Sequence, residues 1–135
     1  MSTNWDEQYP VSKHVIVIEH EPVMRMLLRE TLEDLGYTSA SFEDAVQALT
    51  YLRYVEGDCA FIIADQGMPR GMQGSEFIRM AKERWPSIPS ILTSGFFVDE
   101  QVVPPSTVYL HKPYTLNQLE ATIDAVLLQE SVPTE

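Results

Sequence analysis

The sequence predicts an α/β fold: a doubly wound, five-stranded parallel sheet with helices on both faces. Three observations carry that prediction. Short apolar runs rich in β-branched residues alternate with longer segments whose apolar residues recur at helical spacing. Two of the runs, 60–64 and 108–111, end abruptly in a charge and a proline-bearing loop: Asp65 before Gln66-Gly67-Met68-Pro69, and Lys112 before Pro113. Finally, 44% of the 135 residues are apolar, enough for one sizeable core.

Residues 1–12 are polar, include Pro10 and lack periodicity, so a flexible lead-in is expected before a domain over 13–129 and a tail over 130–135. His14-Val15-Ile16-Val17-Ile18 reads as a strand buried on both faces. Pro22 suits the first turn of the helix that follows, which runs on Met24, Leu28, Thr31 and Leu35. Gly36 stands where a left-handed cap is expected. The run 37–41 is smaller and partly polar, an edge strand. Ser41 with Asp44 resembles a capping arrangement for a helix presenting Ala45, Leu49 and Leu52.

The strand closing in Asp65 comes next, preceded by Cys59, which reads as a small buried hydrophobe. A helix over about 75–85 buries Phe77, Ile78 and Ala81 and stops at Pro86. Residues 90–93 form the fourth strand and 108–111 the fifth. Between them only 97–103 precede Pro104-Pro105, room for about two helical turns at ~3.6 residues each. The last helix opens with Thr115 and Gln118 as a capping box and runs on Leu116, Leu119, Ile123 and Val126.

Nine basic residues against twenty acidic ones give a net charge of -11. That charge repels phosphate backbones and anionic lipid, so no nucleic acid and no membrane is expected as a partner. It suits a metal cation or a basic patch on another protein. A single cysteine excludes an internal disulfide and fits a reducing compartment. No signal-peptide pattern and no apolar run near the roughly 20 residues of a membrane span is present, so a cytoplasmic protein is expected.

Polar residues stand at four strand ends: Glu19-His20-Glu21, Asp65, Ser94 and Lys112. In a doubly wound sheet the carboxyl ends of strands one and three flank the crevice where ligands bind. Singly, each residue is an ordinary solvated or capping group. Together, each at the end of its own strand, they predict one pocket holding carboxylates, a hydroxyl and an ammonium.

At this point the chain resembles the response-regulator receiver domains of two-component signalling, over roughly residues 14–128. The resemblance rests on Val17-Ile18-Glu19-His20-Glu21-Pro22, Ala64-Asp65-Gln66-Gly67-Met68-Pro69, Gly71-Met72-Gln73-Gly74, Leu92-Thr93-Ser94-Gly95 and Tyr109-Leu110-His111-Lys112-Pro113. It implies the flavodoxin-like receiver fold, with strand order 2-1-3-4-5. It implies that Asp65 accepts a phosphoryl group as an acyl phosphate. Lys112 then neutralises charge on the phosphoryl oxygens and Ser94 donates a hydrogen bond to one of them. Ser94 and Tyr109 would be the switch pair, and a cis peptide before Pro113 would aim Lys112 inward. The metal ligands implied are Glu19, Asp65 and the Gly67 backbone carbonyl, for Mg2+.

Three departures stand out. Receivers carry a second acidic residue after strand one; here it is His20, a poor ligand for magnesium. Magnesium binding is therefore expected to be weakened, or replaced by manganese, or partly substituted by a protonated His20. The segment between Ser94 and Tyr109 is short, which alters the family's usual signalling face. The loop after Pro69 is one residue longer before Gly74, tolerable at a surface turn. Of the other histidines, His14 reads as a solvated flank and His111 as facing away from the pocket.

The function expected is that of a stand-alone receiver, not an enzyme. It takes a phosphoryl group on Asp65 from a sensor histidine kinase or histidine phosphotransfer protein and signals to a downstream protein partner, with a homodimer open. The rival is a receiver-like docking module indifferent to phosphate. An aspartate-nucleophile phosphatase would need a second aspartate where Gly67 stands, and a flavodoxin-type cofactor site would need a phosphate-cradling loop where Glu19-His20-Glu21-Pro22 is acidic.

Overall fold

The computed structural model describes residues 12–131, with side chains through Leu128. The expected lead-in, apart from residue 12, lies outside the described residues, as does the tail beyond 131. The elements are β1 (His14–Ile18), α1 (Pro22–Asp34), β2 (Thr38–Phe42), α2 (Ala45–Tyr54), β3 (Phe61–Asp65), α3 (Gly74–Arg84), β4 (Ser90–Ser94), a 3-10 turn (Glu100–Val102), β5 (Thr107–His111) and α4 (Leu116–Ser131). All strand pairs are parallel, in the order β2-β1-β3-β4-β5.

Strand alternation divides the core in two. Ile16, Ile18, Ile62, Ala64 and Leu92 face Ala45, Ala48 and Leu52 of α2 and Phe77, Ile78 and Ala81 of α3. Val15, Val17, Phe61, Ile63, Ile91 and Leu110 face Leu28 and Leu32 of α1 and Leu119, Ile123 and Val126 of α4. Both faces of β1, β3 and β4 are thus buried, which is why those strands read as continuous apolar runs. None of the described helices is long and apolar enough to cross a membrane.

The helix ends explain how the loops are placed. Pro22 opens α1, and Gly36, at φ 94°, closes it with its amide donated to the Glu33 carbonyl. α2 is capped by Asp44 alone, whose carboxylate accepts the Gln47 amide at 2.9 Å. Ser41, expected to share that cap, lies inside β2, because the strand runs one residue further than its polarity suggested. Thr115 and Gln118 form the expected reciprocal box on α4, at 2.8 and 3.1 Å.

α3 begins one residue early, at Gly74, for a steric reason. A Cβ there would lie 2.6 Å from the Asp65 carbonyl oxygen, so only glycine lets the helix seat against the end of β3. Gln73 fastens the preceding loop: the Met68 amide donates to its Oε1 at 2.9 Å and its Nε2 donates to the Met68 carbonyl at 3.0 Å.

The fourth crossover departs from expectation. Of the described residues between β4 and β5, only Glu100–Val102 are helical, as a single 3-10 turn rather than two turns of α-helix. Pro104 and Pro105 have no amide hydrogen to extend it. Within this crossover Val103 packs against the core on the face carrying α2 and α3, while Phe97 is 100% exposed.

Candidate functional site

Three strand ends supply the charges. Glu19 follows β1, Asp65 closes β3 and Lys112 follows β5, after which the Lys112–Pro113 peptide is cis as expected. Glu19 and Asp65 are only 1% and 2% exposed, so each needs a partner. Lys112 provides it: its Nζ lies 2.6 Å from Glu19 Oε1 and 3.1 Å from Asp65 Oδ1. Thr93 donates its hydroxyl to the same Asp65 Oδ1 at 3.3 Å.

The second oxygen of each carboxylate turns the other way. Glu19 Oε2 and Asp65 Oδ2 face His20 Nδ1 at 3.6 and 3.5 Å. That nitrogen is buried and has no hydrogen-bond partner among the described residues. Glu19 is held in place by the Glu21 amide, which donates to Oε2 at 3.1 Å, and by Arg25, whose Nη1 donates to the Glu19 carbonyl at 2.7 Å. Each carboxylate is therefore shared, with one oxygen toward the ammonium and one toward the imidazole.

Electrostatics follow from this packing. Burial alone would lower the pKa of Lys112, but the Glu19 hydrogen bond and the charges of Glu19 and Asp65 outweigh it and hold the ammonium above the usual lysine value. Tyr114 is pushed up to about 12, first by burial and then by the charges of Glu19 and Asp65. Cys59, expected as a buried hydrophobe, is only partly buried against the core; burial, with Asp58 adding to it, raises its thiol to about 12, as for an unreactive cysteine.

Glu19, His20 and Asp65 can each offer a ligand atom, all within 4.8 Å of one another. With Nδ1 lying between two carboxylate oxygens and making no hydrogen bond among the described residues, the trio has the donor set to hold a divalent cation. Gly67 stands beside them: a Cβ at this position would be 3.8 Å from Asp65 Oδ2 and 3.0 Å from the Phe96 ring.

Of the residues singled out from sequence, Glu19, His20, Asp65 and Lys112 converge, with Gly67 at their edge. Ser94 and Tyr109 do not join them. The Ser94 hydroxyl donates to the Phe96 carbonyl at 3.2 Å and accepts the Phe96 amide at 2.9 Å. The Tyr109 hydroxyl lies 3.0 Å from the same carbonyl and 2.8 Å from His111 Nδ1. Together they form a separate network around Phe96. His14, expected as a solvated flank, bridges Thr38 and Tyr51, with both ring nitrogens 2.7 Å from a hydroxyl.

Sequence reasoning missed Thr93. Thr93-Ser94 presents two adjacent hydroxyls, and strand alternation sends them to different surroundings. Register decides which one meets the carboxylate: Thr93 is the direct partner of Asp65 across β3 and β4. Arg25 was missed as well, one helical turn from Glu21 and poised under the loop.

Residues 15–124 match the family described as the response regulator receiver domain. The two-component response regulator PhoP of Pseudomonas aeruginosa is 30% identical over 121 residues, covering 87% of this chain and 52% of that protein. The hydrogenase transcriptional regulatory protein HoxA of Cupriavidus necator is 34% identical over 90 residues, 66% of this chain and 18% of its own. The chain thus spans about half, or less, of these curated relatives. A response regulator receiver protein from Sinorhizobium medicae superimposes with a TM-score of 0.81 at 20% identity, covering 89% of this chain and 98% of the other. Vibrio cholerae chemotaxis protein CheY4 gives 0.74 at 24%, covering 86% and 99%. At those identities the structural likeness speaks for the fold alone.

Proposed function

The chain belongs to the response regulator receiver domain family, and from that premise we propose that Asp65 accepts a phosphoryl group from a phosphohistidine. Receiver domains interact with histidine kinases or histidine phosphotransfer proteins, and phosphoryl acceptance is their general function. The observation that carries the reading is Lys112 Nζ at 3.1 Å from Asp65 Oδ1, with both groups withdrawn from solvent. In the reaction an oxygen of Asp65 forms a bond to phosphorus as the P–N bond breaks, and the electron pair leaves on the imidazole of the donor. Lys112 balances charge on the transferred oxygens, and Thr93 holds the carboxylate in line. Ser94 would leave Phe96 to donate to a phosphoryl oxygen, and Tyr109, bonded to the same carbonyl, would respond.

Receiver domains generally bind Mg2+ through an acidic cluster. Here Glu19, Asp65 and the Gly67 carbonyl would hold it, weakened by His20 in place of an oxygen donor, with Mn2+ the alternative. When bound, the cation supplies further charge neutralisation. The domain would act in the cytoplasm as an acceptor rather than as a turnover enzyme. It would signal through a downstream protein, with a homodimer as one such contact. The net charge of -11 speaks against nucleic acid and membrane as partners.

Incubation with acetyl phosphate and a divalent cation, followed by intact mass measurement, tests this. A gain of one phosphoryl group, lost in Asp65→Asn, is expected. No gain with any cation would support the second reading, a docking module independent of phosphate, for which His20 is the favouring observation.

A further inference from the structure

We propose that Glu19, His20 and Asp65 form a mixed nitrogen–oxygen cation site that selects zinc-class ions (Zn2+, Co2+) over Mg2+ and Mn2+, with His20 Nδ1 as the selecting ligand. The inference rests on reading Glu19 and Asp65 as cation ligands of the phosphoryl site, and it names the ion that site prefers.

Geometry is the first argument. Donors about 2.0–2.1 Å from a tetrahedral ion lie roughly 3.3–3.4 Å apart, whereas neighbouring donors on an octahedral magnesium ion lie roughly 2.9 Å apart. His20 Nδ1 stands 3.5 Å from Asp65 Oδ2 and 3.6 Å from Glu19 Oε2, nearer the tetrahedral spacing than the octahedral one, with all three donors within 4.8 Å of one another. Three protein ligands leave the fourth position open.

Donor chemistry points the same way. Imidazole nitrogen suits zinc and its neighbours, whereas magnesium demands hard oxygen. Magnesium also depends on charge. Two carboxylates offset by Lys112 leave a single net negative charge, less than a site with a third carboxylate in place of His20 would hold. In the tautomer protonated on Nε2, Nδ1 carries a lone pair, and no hydrogen bond among the described residues competes for it. Metal-bound imidazoles usually turn their other nitrogen to a carboxylate, and the carboxylate nearest His20 Nε2 is Glu21, whose Oε1 stands 3.9 Å away, longer than a hydrogen bond but on the required side of the ring.

The test is calorimetric titration of the unphosphorylated protein with Zn2+, Mn2+ and Mg2+ in turn, with Co2+ absorption as a probe of the nitrogen donor. One Zn2+ should bind more than about 100-fold more tightly than Mg2+. His20→Asp should lower zinc affinity and Glu21→Gln should lower it less, within roughly 10- to 100-fold, while His20→Asp strengthens Mg2+ binding. The exposed Glu21→Gln keeps the test decisive should His20→Asp unfold. Equal zinc affinity in the wild type and both variants, magnesium or manganese binding as tight as zinc, or loss of zinc in His111→Ala would each overturn the proposal. No phosphoryl donor is present, so this result is independent of the mass measurement on Asp65.

Discussion

The carboxyl ends of β1 and β3 and the corner between β4 and β5 are adjacent, yet they are held by different physics. At the first, two carboxylates and an ammonium sit almost out of water, and each depends on the others. Removing one member of a buried ionic set strands the rest, at a cost of about 3–5 kcal/mol. At the second, neutral hydroxyls and carbonyls of Ser94, Phe96 and Tyr109 share bonds worth about 0.5–1.5 kcal/mol each, with Ser94 buried but Phe96 open to solvent. The difference is that between a fixed reaction centre and an exchangeable linkage beside it.

The strongest way to break that comparison is Lys112→Met. It leaves Glu19 and Asp65 buried without a counter-charge, and chemical denaturation should show a loss of about 3 kcal/mol or more. A loss no larger than that of a surface substitution would mean the ionic set is not the firm region. Gly74→Ala comes next. Its methyl would press on the Asp65 carbonyl, and an overpacking cost of about 1–3 kcal/mol is expected, together with slower phosphoryl acceptance because the end of β3 must shift.

Alkaline titration sharpens the same contrast. Cys59 and Tyr114 rise from 9.0 and 10.0 to about 12, both protonated in the fold. Above pH 9 the unfolded chain releases these protons first, so the folded state binds more of them. Stability is therefore complete below pH 9 and declines as pH rises toward 12, by about 1–2 kcal/mol near pH 10 for Cys59. The raised pKa of Lys112 adds loss in the same direction at higher pH. Denaturation curves at pH 8 and pH 10 should differ accordingly, and Cys59→Ala should reduce the difference. Tyr109→Phe is the mildest change. It removes one hydroxyl from the Phe96 carbonyl and should cost about 0.5–1 kcal/mol, with faster amide exchange at Phe96 and little change at Asp65.

Much of this architecture was legible in the residues. The switch between runs such as 14–18 and helical spacing such as Leu28 with Leu32 announced alternating strands and helices. Gly36 and the Thr115–Gln118 pair announced helix ends, because caps are local. The ions at the ends of β3 and β5 announced a site. Three features were not legible. Ser41 carries a capping residue's chemistry but is claimed by β2 pairing. The short 94–109 crossover permits a helix by length and loses it to Pro104 and Pro105. Gly74 looks like any loop glycine until the Asp65 carbonyl is set against it.

The order of elements, the division of each strand into two faces and the placing of Glu19, Asp65 and Lys112 at strand ends were determined by sequence alone. They depend on periodicity and on residues adjacent in the chain. Only the tertiary structure decided that Thr93 rather than Ser94 meets Asp65, that each carboxylate divides its oxygens between Lys112 and His20, and that Nδ1 sits between them without a hydrogen bond among the described residues. Those outcomes depend on register between neighbouring strands and on a few ångströms across the sheet edge, which no local pattern encodes.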